Sequence, residues 1–201
     1  MRKGFLLFLL FLTRFSISFS EENVMDSKYW VTFGYDNAPV KVIQYYSLIC
    51  PHCTKVFKED FDQIFETYVA KGLLQYTYHP MPVDGFTAAF LECLSRLSDE
   101  EKRLFFLFSM NELTKDVEYN IAQIREAMTY FGKPLPDFGE AEFHAECQSW
   151  SDAEKFIEKL DAVVEVPSME IGGKIVDEMP TFLFFKGLFD SIQKEMEASH
   201  E

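Results

Sequence analysis

The chain has 201 residues, with 33 acidic side chains against 19 basic ones and a formal net charge of −14 at pH 7. This length allows one domain with a full core, or one domain that carries a large insertion. Because so acidic a surface repels phosphate groups, the charge argues against nucleic acid and anionic lipid as partners.

The first twenty residues have the layout of a secretory signal. Arg2 and Lys3 precede an apolar run from Phe5 to Leu12, and small residues follow before Glu21. The run is much shorter than the roughly 20 residues that a membrane-spanning helix needs. We therefore predict that residues 1–20 are a signal peptide, and that the exported mature chain has no stable membrane insertion.

The pattern from residue 21 to residue 85 predicts the first part of an α/β core. Alternating β-branched and aromatic residues indicate strands, and the apolar spacing after Pro51 indicates a helix. A strand, helix and strand in this order favour parallel pairing through a right-handed crossover. The predicted elements are strands at 28–34, 38–48 and 73–80 and a helix from Pro51 to Gly72.

Residues 86–166 show helical patterns and no convincing strand, so they are predicted to form a helical insertion. A capping box at Ser98 marks one helix start. Residues 167–201 are predicted to return to the core, with a strand in "MPTFLFFKG" (179–187) and a short closing helix. This order of elements predicts an α/β fold with helices packed against a central sheet.

The segment Cys50-Pro51-His52-Cys53 is the main candidate for chemistry. Haem attachment requires histidine directly after the second cysteine, where this chain has Thr54. A structural zinc site normally takes four ligands, and no second close cysteine pair is present. A structural disulfide across two residues stabilises little, because the effect grows with loop length. Redox chemistry is the alternative that remains.

The predicted helix start explains why this pair suits redox chemistry. Free N–H groups and the positive end of the helix dipole stabilise a thiolate at Cys50. Pro51 suits the first helical position, and His52, when protonated, adds positive charge near the sulfur. We predict that Cys50 is the exposed attacking sulfur and that Cys53, one turn further on, is the buried resolving thiol.

The stretch "APVKVIQYYSLICPHC" resembles the thioredoxin superfamily, and together with the predicted helical insertion it resembles the DsbA family of secreted thiol–disulfide oxidoreductases. The resemblance covers roughly residues 28–185. It implies a thioredoxin-like fold with an inserted helical domain, catalysis by the cysteine pair, and no metal or other cofactor.

The resemblance also implies a cis-proline beside the redox cysteines, and "MPT" matches that motif. Pro180 would then be the cis-proline, and Met179 would contact both the disulfide and the substrate. One departure concerns Gln44. The family often carries an acid six residues before the first cysteine, and glutamine cannot titrate, so the proton of Cys53 must leave through water or another group.

Four cysteines can pair in three ways. Spacing favours Cys50 with Cys53 and leaves Cys93 with Cys147. A second disulfide resembles what some family members have, and it would tie the ends of the insertion together. The alternative is two buried free cysteines that pack as small apolar residues.

Three functions are compatible with these residues. The first is a periplasmic oxidase that introduces disulfides into unfolded or reduced secreted polypeptides, and the resemblance implies a quinone-linked membrane partner of the DsbB type that reoxidises it. The second is an isomerase or reductase held reduced. The third is a chaperone-like binding module with a structural disulfide. Fewer than ten residues separate Glu21 from the first predicted strand, which favours a monomer and an oxidase.

Overall fold

The computed structural model describes residues 26–82, 85–113, 116–135, 148–159, 165–176 and 178–199. The predicted signal peptide lies outside these residues. The elements in chain order are a 3-10 turn (Ser27–Tyr29), β1 (Val31–Phe33), β2 (Val40–Tyr46), α1 (Pro51–Ile64), a π-helical turn (Phe65–Val69), β3 (Leu74–Pro80), α2 (Gly85–Arg96), α3 (Asp99–Glu112), α4 (Val117–Tyr130), α5 (Gln148–Lys159), β4 (Ser168–Ile171), β5 (Lys174–Val176) and α6 (Phe182–Ala198).

A mixed sheet with the strand order β1-β3-β2-β4-β5 forms the centre of the fold. Strands β2 and β3 are parallel and are joined through α1, so the predicted strand–helix–strand unit is confirmed. The other three pairs are antiparallel. Residues 45 and 168 are partners in the β2–β4 pair, which brings the start of β4 to the end of β2 where the cysteine loop begins.

Helices α2 to α5 lie between β3 and β4, as the predicted helical insertion requires. The capping box is present at the start of α3, where the side chain of Ser98 accepts from the backbone N–H of Glu101 and the Glu101 carboxylate accepts from the backbone N–H of Ser98. The domain boundaries placed within this order stay a prediction.

The last part of the chain corrects the sequence analysis. The strand predicted at 179–187 is wrong, because Phe182–Ala198 is a helix whose N-cap, Thr181, accepts from the N–H of Phe184 at 3.3 Å. A short, almost continuous apolar run has no period that separates strand from helix. The strands of this region are β4 and β5, joined at Gly172 and Gly173, which have φ values of 61° and 75°. β5 forms one edge of the sheet.

The sheet buries different residues on its two faces, because successive side chains of a strand point to opposite sides. We call the side that packs on α1, α3 and α6 the cysteine face, and the side that packs on Leu91 of α2 and Phe156 of α5 the histidine face. The cysteine face carries Val42, Gln44, Tyr46, Tyr76 and Tyr78, whereas the histidine face carries Ile43, Tyr45, Thr77 and His79. Within the described parts of the chain, no helix is both long enough and apolar enough to cross a bilayer.

Candidate redox site

The cysteine pair lies where β2 gives way to α1. Cys50 is the N-cap of α1 and Pro51 is its first residue, as predicted. The N–H of Cys50 donates to the carbonyl of Ser47 at 3.2 Å, which closes the connecting loop. Cys50 therefore lies at the N-terminus of α1, where the helix has unpaired backbone N–H groups and the positive end of its dipole.

The two cysteines differ sharply in exposure. Cys53 is 0% exposed and belongs to the main core, whereas Cys50 is partly exposed and packs at the edge of that core. The predicted burial of Cys53 is confirmed, while the catalytic roles of both cysteines stay a prediction. Pro51 and His52 are exposed on the first turn of α1. Only one of the two sulfurs is therefore accessible to a large partner.

Burial raises the pKa of the Cys53 thiol well above its ordinary value. A hydrogen bond from the backbone N–H of Ser47 opposes this rise, and the neighbouring Cys50 adds to it. Cys53 is thus a neutral thiol at neutral pH. To act as an attacking or leaving group it must carry negative charge, so nearby donors decide how readily it does so.

The structure places a different proline beside the cysteines from the one predicted. Among the described residues the cis peptide bond is Val166–Pro167, so the prediction that Pro180 is the cis-proline is wrong. The thiol of Cys50 donates to the carbonyl of Val166 at 3.5 Å. Pro180 is buried just before α6, and Met179 is 40% exposed. Pro167 precedes β4, whose pairing with β2 brings it to Cys50.

A family model described as "Thioredoxin" matches residues 26–191. The chain belongs to the thioredoxin family. No curated protein is similar enough in sequence to match it.

Three solved structures have a fold similar to that of this chain. They are BdbD from Bacillus subtilis (14% identity, 88% of this chain and 96% of that chain covered, TM-score 0.60), alpha-DsbA1 from Wolbachia pipientis (20%, 86% and 94%, 0.58) and MdbA from Actinomyces oris (15%, 84% and 90%, 0.59). At these identities the likeness shows the fold. The predicted thioredoxin-like fold with a helical insertion is confirmed, and so is the predicted resemblance to DsbA at the level of the fold.

Gln44, six residues before Cys50, is 1% exposed on the cysteine face. Its side-chain carbonyl accepts a hydrogen bond from the hydroxyl of Tyr76 at 2.5 Å. The side-chain amide of Gln44 therefore accepts from a neutral donor, and it cannot take the proton of Cys53 as a base would. Within the described residues, no group of three or more His, Cys, Asp or Glu side chains could hold a metal ion.

The second predicted disulfide cannot be placed on the structure, because Cys147 lies outside the described residues. Cys93 is fully buried in α2, and its thiol donates to the carbonyl of Ala89 at 3.4 Å. The pairing of Cys93 with Cys147 stays a prediction.

The sequence analysis missed two residues that touch the cysteines. Val166 supplies the carbonyl next to Cys50, and Ser47 supplies the N–H that bonds to Cys53. Both act through the backbone, so their residue types carry no signal. A signal for the strand after Val166 did exist, since Gly172-Gly173 between apolar residues is a hairpin pattern.

Proposed function

We propose that the chain is an exported protein thiol–disulfide oxidoreductase that works as an oxidase on unfolded or reduced secreted polypeptides. The observation that carries this proposal is the difference between the two sulfurs. Cys50 is accessible at a helix N-terminus that stabilises a thiolate, and Cys53 is fully buried one turn behind it. A disulfide whose reduced form is stabilised in this way is a good electron acceptor.

In the proposed reaction, a substrate thiolate attacks the Cys50 sulfur of the Cys50–Cys53 disulfide. The bond between the two cysteines breaks, Cys53 leaves as a thiolate and then takes a proton, and a mixed disulfide joins Cys50 to the substrate. A second substrate thiolate attacks the substrate sulfur of that mixed disulfide, and Cys50 leaves as a thiolate. The substrate loses two electrons and the protein gains them.

Two features beside Cys50 suit an unfolded chain as the substrate. The carbonyl of Val166 lies next to the Cys50 sulfur at the start of an extended segment, where it can help to orient the thiol. Ile49, directly before Cys50, is 49% exposed and offers an apolar contact. An unfolded polypeptide presents apolar side chains and thiols that a folded protein buries.

The proposal includes a periplasmic location and a quinone-linked membrane protein of the DsbB type that reoxidises the reduced pair. Its basis is the signal-like layout of residues 1–20 and the DsbA-like fold. An oxidase needs such an acceptor, because each turnover leaves two electrons on the cysteine pair.

Oxidation of a reduced peptide that contains two cysteines tests the proposal. The mature chain with its pair oxidised should convert the peptide, and Cys50→Ser should abolish the conversion. Cys53→Ser should instead accumulate a mixed disulfide at Cys50, which mass spectrometry detects. Cys93→Ala, which removes a buried thiol outside the pair, is the control and should keep the activity.

Undiminished oxidation by Cys50→Ser would refute the proposed function. Equilibration with glutathione buffers separates the oxidase from an isomerase or reductase. The cysteine pair of an oxidase should have a higher reduction potential than the glutathione couple, and the protein should act poorly on scrambled disulfides. A pair that stays reduced and rearranges scrambled disulfides would favour the isomerase.

A further inference from the structure

Three tyrosine rings lie on the cysteine face of the sheet, in the same buried core as Cys53. Tyr46, Tyr76 and Tyr78 are at most 2% exposed. Their rings are close together, with centroids 5.7 Å apart for Tyr46 and Tyr78 and 4.9 Å apart for Tyr76 and Tyr78. Since buried hydroxyl groups normally have hydrogen-bond partners, the bonding of each one is informative.

Two of these hydroxyls have partners and the third does not. Tyr78 hydrogen bonds to Tyr76, and the hydroxyl of Tyr76 donates to Gln44. The hydroxyl of Tyr46 is buried and has no hydrogen-bond partner among the residues that the structure describes. A buried hydroxyl without a hydrogen-bond partner destabilises the folded protein, so the presence of tyrosine at this position needs an explanation.

Tyr46 lies beside the loop that holds the buried thiol. It is the last residue of β2, and the next residue, Ser47, donates its N–H to the Cys53 sulfur. The ring of Tyr46 packs 5.3 Å from that of Phe106, which is 5.6 Å from Phe57, one turn beyond Cys53 on α1. The ring of Tyr46 is therefore connected through Phe106 to the first turns of α1, and it belongs to the same core cluster as Cys53.

The ionisation behaviour of Tyr46 fixes what its hydroxyl can do. Burial raises its pKa well above the ordinary value, and negative charge on Cys53 raises it further. The hydroxyl therefore stays protonated and can donate a hydrogen bond, but it cannot take the proton of Cys53 as a base.

We infer that the hydroxyl of Tyr46 donates a hydrogen bond to the sulfur of Cys53 when that sulfur is a thiolate, and so acts as a positioning residue for the step at Cys53. The inference rests on the proposed function. In the thiol form the hydroxyl is unpartnered. A bond made only to the charged form stabilises the thiolate selectively.

The expected effect on the rate is moderate. A hydrogen bond to a charged group shifts an ionisation equilibrium by about 10- to 100-fold. About half of this gain, on a logarithmic scale, is lost because a stabilised thiolate is a weaker nucleophile. Tyr46→Phe should therefore slow attack by Cys53 about 3- to 10-fold.

The experiment follows the two steps separately. The reduced mature chain is mixed with one equivalent of dithiobis-nitrobenzoate, and the coloured nitrothiobenzoate is recorded. In the first phase the Cys50 thiolate breaks the reagent disulfide, forms a mixed disulfide and releases one nitrothiobenzoate. In the second phase Cys53 loses its proton to solvent and attacks the Cys50 sulfur. The Cys50–Cys53 disulfide then forms and the second nitrothiobenzoate leaves.

Tyr46→Phe should slow the second phase and leave the first phase unchanged. Because it removes a hydroxyl that has no partner, it should not lower the free energy of unfolding. Tyr45→Phe is the matched control, since Tyr45 is the adjacent residue on the histidine face and its hydroxyl donates to Glu170 at 2.8 Å. This variant should leave both phases unchanged.

An unchanged second phase in Tyr46→Phe overturns the inference. Equal slowing of both phases, or a loss of stability that accompanies the slowing, also overturns it, because the effect is then one of packing. Absence of the second phase in the unsubstituted chain has a different meaning. It shows that Cys53 does not resolve mixed disulfides, and it refutes the proposed function itself.

Discussion

Acid sensitivity should arise from His79, a buried histidine on the face of the sheet opposite to Cys53. His79 is 0% exposed, and the rings of Tyr45, Phe156 and Trp30 surround it with centroids 5.0, 5.3 and 5.8 Å away. Burial lowers its pKa from the ordinary 6.5 to about 4. The folded chain therefore holds this imidazole neutral at pH values where the unfolded chain binds a proton.

The direction of the pH effect follows from this lowered pKa. Stability from the neutral His79 is fully present above about pH 6.5 and is lost as the pH falls toward about 4. At about pH 5 the unfolded histidine is almost entirely protonated and the folded one almost entirely neutral. Between about pH 7 and about pH 5 the loss amounts to about 2 kcal/mol.

Urea unfolding at these two pH values, with wild type and His79→Leu, tests the prediction. Leucine has a similar volume and cannot titrate, so the loss of stability on acidification should be about 2 kcal/mol smaller in the variant. Phe106→Leu is the control, since it removes packing on the cysteine face, away from His79, and should cost the same at both pH values. Carboxylates that titrate in this range contribute equally to all three proteins. An identical pH dependence of wild type and His79→Leu would refute the reasoning.

Two further substitutions test a backbone position and an ion pair. Gly34→Ala should cost about 2 to 4 kcal/mol in urea unfolding, because φ is 96° and the new Cβ would lie 2.5 Å from the carbonyl oxygen of Leu74. Gly132→Ala, where φ is 69° and no atom of the described residues other than its chain neighbours lies within 4 Å of the new Cβ, should cost clearly less, and equal costs would contradict the steric argument. Asp152→Ala should cost no more than about 1 kcal/mol near neutral pH. Although burial alone would raise the pKa of Asp152, hydrogen bonds led by that from Lys28 lower it to about 2, so the cost should vanish as the pH falls from about 4 toward about 2. A cost that persists at low pH would show that the carboxylate is not its source.

The part of the site that local rules determine could be predicted from the sequence. Pro51 favours a helix start, and the apolar spacing after it predicts the helix that buries Cys53 and leaves Cys50 at its N-terminus. These features depend on residues within a few positions of one another. Both the helix and the burial of Cys53 are found in the structure.

The part that long-range pairing determines could not be predicted in the same way. Val166 reaches Cys50 because β4 pairs with β2, more than a hundred residues earlier in the chain. Strands of four and three residues give little periodicity, and the longer apolar run at 179–187 has the composition of a strand but forms a helix. The Gly172-Gly173 turn, and not the apolar run around Pro180, marks the strands of this region.

Tyr46 shows a further limit of sequence reasoning. In the sequence it is one of several aromatic residues that favour a strand. Its significance depends on two features of the packed core: its hydroxyl has no hydrogen-bond partner among the described residues, and it shares the core with the sulfur of Cys53. Neither feature is a property of neighbouring positions in the sequence. Only the packed core distinguishes it from Tyr45 and Tyr78.

The alternation of side chains along β3 has a practical consequence for engineering. Tyr78 and His79 are joined by one peptide bond, yet Tyr78 packs with Phe106 of α3 and His79 with Phe156 of α5. Substitutions that adjust thiol–disulfide exchange therefore fall on the cysteine face of the sheet. Substitutions that improve stability at acidic pH fall on the histidine face. The two properties should be open to optimisation in parallel libraries, with gains that add where the substituted side chains lie more than about 7 to 10 Å apart and share no partner.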